Sequence, residues 1–224
     1  MNRAARKIPL AGSLGYLLLN LPAGIAGFVF VVTTLAVGVS TAIIWVGVAV
    51  LALTVVGVRA AATAERARIR ALLDITIPQP YRPLPGTGAR ARWRARVRDA
   101  ATWRDLAYLV LLFPLGIAEF VVVVTSWAVA LAHLALPVFY RWLPDGAYFF
   151  PSYDLRWIVV DSVPTALPWA ALGMLLACVA VAVTRGLATV HARFALALLG
   201  PSGRRVREAE ASFADTRVPS TVAG

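Results

Sequence analysis

Glu119 is the only acidic residue inside a long apolar run of this 224-residue chain, and chemistry has to be sought there first. A charge at the centre of a bilayer costs roughly 2.5–3.5 kcal/mol on insertion scales, so such a residue asks for a partner or a role. Its depth depends on where its helix enters. Entry near Leu109 puts Glu119 ~15 Å in, near the midplane, whereas an interfacial Tyr108–Pro114 leaves it shallower. Asn20 occupies a nearby place in an earlier run of similar sequence, and the two could belong to one polar patch. Two readings stand side by side: a ligand, proton or signalling role, or a protonated or hydrogen-bonded packing contact.

The remaining chemistry-bearing types are few. His133 lies 14 residues after Glu119, on a similar helical face but ~21 Å away, so the two cannot touch. His191 lies beyond the last apolar run, among residues expected in the cytoplasm. Neither histidine has metal-ligand spacing, and both are read as structural. Cys178 is the single cysteine, which excludes an internal disulfide and a Cys-based metal site. There is no phosphate-cradling glycine loop, no HExxH and no nucleophile elbow. The expectation is a protein that is not an enzyme and holds no cofactor and no metal.

The elements that must position these residues are apolar. Hydrophobic residues make up 60% of the chain and charged ones 15%, against about 25% charged in soluble domains. No charge occurs from Ile8 to Val58. One helix of that length would span ~75 Å, so the run must fold back as two spans across a core of about 30 Å. Gly38 to Ser40 is the expected reversal, with spans at about 14–37 and 41–58. Two further spans are expected at about 106–134 and 165–184, separated by an outer loop, 135–164. No short alternating segments of a barrel occur. The fold class is thus an all-α membrane protein with four transmembrane helices and a cytoplasmic interfacial helix. Its N-terminal run is too long for a signal peptide and is read as retained.

Arg and Lys placement sets the orientation. Three cations precede the first span (Arg3, Arg6, Lys7), eleven arginines lie between Arg59 and Arg104, and six follow from Arg185 to Arg217, against only Arg141 and Arg156 on the other side. Both termini are expected in the cytoplasm of a multi-pass plasma-membrane protein.

The chain also repeats itself. Tyr16–Thr34 and Tyr108–Ser126 match at twelve of nineteen positions with an offset of 92, including Pro22/Pro114 and Gly24/Gly116. A weaker pair sets Arg59…Leu72-Leu73 against Arg185…Leu198-Leu199. The expected organisation is a first hairpin repeat over 1–74, a Pro/Arg-rich linker over 75–92, a second hairpin repeat over 93–200 and a short tail over 201–224, partly disordered. Copies entering from one side are parallel repeats. Pro22 and Pro114 are either hinges that transmit motion or kinks where an interfacial segment meets its span.

The outer loop is extra material in the second copy. Its aromatics, among them Trp142, Phe149 and Trp157, form either an interfacial belt or, with Asp145, Asp154 and Asp161, a small recognition surface. In the cytoplasmic loop, arginines alternate from Arg90 to Arg98. On a helix, Trp93, Val97 and Ala100 would share an apolar seam flanked by those arginines, which suits an anionic lipid surface. Nucleic acid is not an expected partner, because topology accounts for the charge.

Several motifs taken together bear a resemblance. The Tyr-Leu-x-Leu-x-x-Pro-x-Gly entry, Ala64-Glu-Arg-Ala-Arg68 with Leu72-Leu73, Ile77-Pro78…Tyr81-Arg82-Pro83 and Ala101-Thr-Trp-Arg-Asp-Leu106 resemble the sensor domain of actinobacterial-type sensor histidine kinases over about residues 10–200. The resemblance implies a membrane-embedded input module, and it carries over no binding residues. In those kinases a phosphoacceptor histidine and an ATP-binding domain follow. Here no histidine follows His191. The expectation is a stand-alone sensor-domain protein or a kinase remnant, non-catalytic and linked to two-component signalling through a partner: a second copy or a sensor kinase. The rival readings are a small transporter or channel, or an accessory membrane subunit.

Overall fold

A computed structural model describes residues 9–81 and 88–203. The cations Arg3, Arg6 and Lys7, the end of the proline-rich connector and the tail from Arg204 lie outside the described residues. Four helices are long and apolar enough to cross a membrane. They are α1 (Leu10–Ser40), α2 (Val46–Leu73), α4 (Ala100–Phe139) and α5 (Val163–Leu199), with the short α3 (Ala89–Arg98) between the pairs.

The first reversal differs from expectation. Gly38 to Ser40 stay helical, and the chain turns at Thr41–Trp45, so the second span begins at Val46. The hydroxyls of Ser40 and Thr41 donate to the carbonyls of Ala36 (2.7 Å) and Val37 (2.6 Å), and the Val37 carbonyl also accepts from the Thr41 amide at 3.0 Å. Gly38 is a packing residue: a Cβ there would lie 2.7 Å from the Leu51 side chain.

α4 starts where the side chain of Asp99 caps it, accepting from the Ala101 amide at 3.2 Å. That cap also corrects the expected seam on α3. Ala100 belongs to α4 and is exposed, while Trp93 and Val97 face a cleft against α2 and α4. α5 starts with Ser162 and Thr165 in a capping box and Pro164 in the first turn. Both α2 and α5 continue well past the spans expected for them, to Leu73 and Leu199.

The outer segment is not wholly helical. Residues Tyr148–Phe150 (β1) and Ile158–Val160 (β2) form an antiparallel hairpin, with Phe149 opposite Val159. Aromatic and β-branched side chains favour such a pleated edge. Tyr148 and Phe150 close on Trp169 of α5 at ring distances of 5.5 and 5.3 Å.

The helices α1 and α4 cross backbone to backbone. A Cβ on Gly24 would lie 2.8 Å from the Leu112 carbonyl oxygen, and one on Gly116 would lie 2.7 Å from that of Asn20. The contact is reciprocal, and small residues let membrane helices approach this closely. Pro22 and Pro114 sit two residues before these glycines, inside unbroken helices, on exposed faces. Around the crossing lies one core, with Tyr16, Leu17, Ile69, Tyr108, Leu112 and Leu199 among its buried members.

Candidate functional site

The crossing encloses a buried polar network. Tyr16 and Asn20 come from α1, Glu65 and Arg68 from α2, Tyr108 and Glu119 from α4, and His191 from α5, so every long helix contributes. Tyr16, Asn20, Tyr108 and His191 are fully buried. Helical spacing explains the placement. Tyr16 and Asn20 are four residues apart, one above the other on one face of α1. Close approach at the glycines then brings that face against α4.

Asn20 Nδ2 donates to Glu119 Oε2 at 2.6 Å. His191 Nδ1 meets Glu119 Oε1 at 2.6 Å, and its Nε2 meets the Tyr108 hydroxyl at 3.1 Å. The hydroxyls of Tyr108 and Tyr16 both donate to Glu65 Oε1 at 2.9 Å. Arg68 Nη2 donates to Glu65 Oε1 at 2.8 Å and to Asn20 Oδ1 at 2.6 Å. A continuous path of polar contacts therefore runs Glu65–Tyr108–His191–Glu119–Asn20–Arg68–Glu65. Tyr16 closes on Tyr108 at 3.4 Å, and its ring carries the Arg68 guanidinium at 4.7 Å. Each of these seven side chains has at least one polar partner, which is what makes its burial affordable in an apolar bundle.

A second cluster ties the ends of α2, α4 and α5 together. Arg66 Nη2 bonds Asp105 Oδ1 at 2.8 Å, and Arg66 Nε and Nη2 both donate to the Leu199 carbonyl, the last residue of α5. An arginine on the open carbonyls of a helix end fixes that end. Tyr81 bridges the pair, donating to Asp105 Oδ2 at 2.7 Å and receiving Arg66 Nη1 at 3.0 Å. Burial, with the Asp105 carboxylate next, raises the Tyr81 phenol above its ordinary pKa. Arg59 stacks on the Tyr81 ring at 4.0 Å and bonds Asp99 at 3.0 Å, and Arg104 donates to the Ala197 carbonyl.

Asn20 and Glu119 are thus brought together, and Pro22 and Pro114 flank them without touching the network. Asp145 stands apart in the outer segment, accepting from Tyr153 at 2.5 Å, with Arg156 at 3.5 Å. Asp154 and Asp161 are exposed, and no hydrogen bond or ion pair joins them to Asp145. Among the described residues, no group of three or more His, Cys, Asp or Glu could hold a metal ion.

Sequence reasoning missed most of the network. His191, expected among cytoplasmic residues with only a structural role, is the central link. Its signal was the weaker repeat: at the offset of 126 that pairs Arg59 with Arg185, His191 pairs with Glu65. Two buried polar residues at one repeat position mark a shared polar layer. Glu65 and Arg68 lie in the Ala64–Arg68 motif, but their inward direction depends on how α2 is rotated against α1.

No curated protein and no solved structure matches the chain significantly. The family described as "Putative sensor" matches residues 16–199, from Tyr16 of the buried network to Leu199 beneath Arg66, and this membrane protein belongs to that sensor family.

Proposed function

We propose that this chain is a non-catalytic, membrane-embedded sensor that acts through a signalling partner of the two-component type. The observation that carries the reading is the buried network joining all four long helices. A displacement of any one of them must break or remake bonds on the others, which is the physical requirement for coupling distant faces of a bundle. Arg66 ties the end of α5 to α2 and α4, so movement in the bundle has a route to the point where α5 ends.

In this reading the two hairpins are tandem copies facing the same way, supported by the offset-92 match and the reciprocal Gly24 and Gly116 contacts. Both termini are cytoplasmic in the plasma membrane, supported by the bias of cations. The arginine face of α3 then meets anionic lipid or the partner. The partner is a sensor kinase or a second copy of the chain.

In-cell cross-linking of a tagged chain in its native membrane, followed by purification, tests this. Enrichment of a histidine kinase or response regulator over an unrelated tagged membrane protein is expected. Repeated recovery without any signalling protein overturns it. One observation favours a second reading: the path Glu65–Tyr108–His191–Glu119 could also relay protons. Proton flux in liposomes that Glu119→Ala abolishes would establish a transporter instead.

A further inference from the structure

The clefts of the molecule differ in what lines them. One of about 320 Å³ between α2, α3 and α4 and one of about 170 Å³ beneath the outer segment lack a charged group at their walls, apart from His133. A third, of about 430 Å³, opens between α1, α2 and α4 and is different. Small residues form its floor, Gly27 and Gly57 among them, and Glu65 and Arg68 stand at its wall. Its size lies in the range of ligand sites.

The second hairpin is filled at the corresponding places. At the offset of 92, Gly27 corresponds to Glu119. At the offset of 126, Ala61 corresponds to Leu187 and Ala64 to Val190. The space is real at Gly27: a Cβ there would meet only Leu109, at 3.4 Å and beyond.

Arg68 makes the cleft more than a gap. Its Nη2 is held by Glu65 and Asn20, but its Nε and Nη1 are buried with no hydrogen-bond partner among the described residues. Buried donors on a charged group left without acceptors cost free energy, which an oxygen anion recovers once the guanidinium turns toward the cleft it lines. Tyr16, Tyr108 and Arg68 Nη2 all donate to Glu65 Oε1 and spread part of that carboxylate's charge.

We propose that this cleft binds an anionic membrane amphiphile, its acyl chain against Gly27, Ala61 and the Phe30 ring that covers Gly57, and its head oxygens on the free N–H groups of Arg68. The proposal deepens the sensor reading and rests on it for its consequence, since Arg68 bonds both Glu65 and Asn20 and a ligand there pulls on the network.

The test uses the full chain in nanodiscs with three diazirine probes: palmitate, phosphatidylglycerol and hexadecanol. Labelling by palmitate or phosphatidylglycerol should concentrate on residues 23–30 and 57–64, about tenfold above the lipid-facing surface of α5. Whichever of the two labels names the source, a free fatty acid or a bilayer phospholipid. Arg68→Gln should lower labelling by the anionic probes about tenfold, the worth of a charge-assisted bond, and spare hexadecanol. Gly27→Leu with Ala61→Leu should reduce all labelling to background. Competition by unlabelled probe on the unaltered protein needs no variant, and labelling that is not displaced overturns the proposal. Even labelling of all lipid-facing helices overturns it too. Saturable labelling without a signalling partner on cross-linking leaves the site standing and removes the sensor reading; the reverse result removes only the site.

Discussion

Glu119 of α4 reaches His191 of α5 and fills the space between them, whereas Gly27, ninety-two residues earlier, offers α2 no side chain at all. The same contrast recurs between α5 and α2, with Leu187 packed on the core where Ala61 lines a cleft. α4 and α5 accordingly pack along more of their length than α1 and α2 do. Two segments of similar sequence thus meet at one crossing and then diverge in side-chain volume. Similar backbone packing needs only Gly24 and Gly116 at the contact, which leaves the flanking positions free to differ. A filled hairpin is stiff, and an open one can accept a ligand or another conformation.

That contrast can be broken at several points. The largest effect is expected from His191→Leu, which removes the imidazole from Glu119 Oε1 and from the Tyr108 hydroxyl and leaves Glu119 held by Asn20 alone in an apolar bundle. About 3 kcal/mol of stability should go, and the double variant His191→Leu with Glu119→Leu should recover part of it, because an apolar pair replaces a buried polar one. Reversible unfolding in mixed detergent, followed by circular dichroism, measures both. A single variant as stable as the parent would mean that the pair does not close the second hairpin.

The next test exchanges volumes. Leu187→Ala removes packing from the filled hairpin and should cost about 2 kcal/mol. Ala61→Leu enters a cleft with room for it and should cost under about 1 kcal/mol. Equal losses in the same unfolding assay would show that the hairpins do not differ in packing. A smaller effect, about 1 kcal/mol, is expected from Trp127→Phe, which removes the 3.1 Å bond from the indole to Thr184 while Thr184 keeps its bond to the Ala180 carbonyl. Intrinsic fluorescence during unfolding would locate any larger change. Arg156→Ala in the outer segment should change stability by less than about 0.5 kcal/mol, because its contact with Asp145 is exposed on both sides. A larger shift in melting temperature would make the outer segment a structural brace of the second hairpin.

The spans were legible because hydropathy is additive along a chain: a run without charge has few alternatives to a membrane helix. Pairing Asn20 with Glu119 was legible through the repeat. The first turn was not, because Ser40 and Thr41 extend α1 by bonding their own backbone, a choice that depends on what else the chain offers those carbonyls. The outer β hairpin was hidden for a related reason, its three-residue strands being too short for a periodic signal. The burial of His191 was not legible, because arginines flank it in sequence and a charge count says nothing about which face of a helix turns inward.

Composition, apolar run length and the placement of arginines by themselves determined that this is a membrane protein with four long helices, since transfer of each residue from water to lipid depends mainly on its own side chain. Only the tertiary structure decided that seven polar residues from four helices meet at one buried site and that a cleft stays open beside Arg68. Those outcomes depend on how α1 and α4 cross at Gly24 and Gly116 and on the rotation of α2 and α5 against them, which are properties of packed surfaces rather than of any one segment.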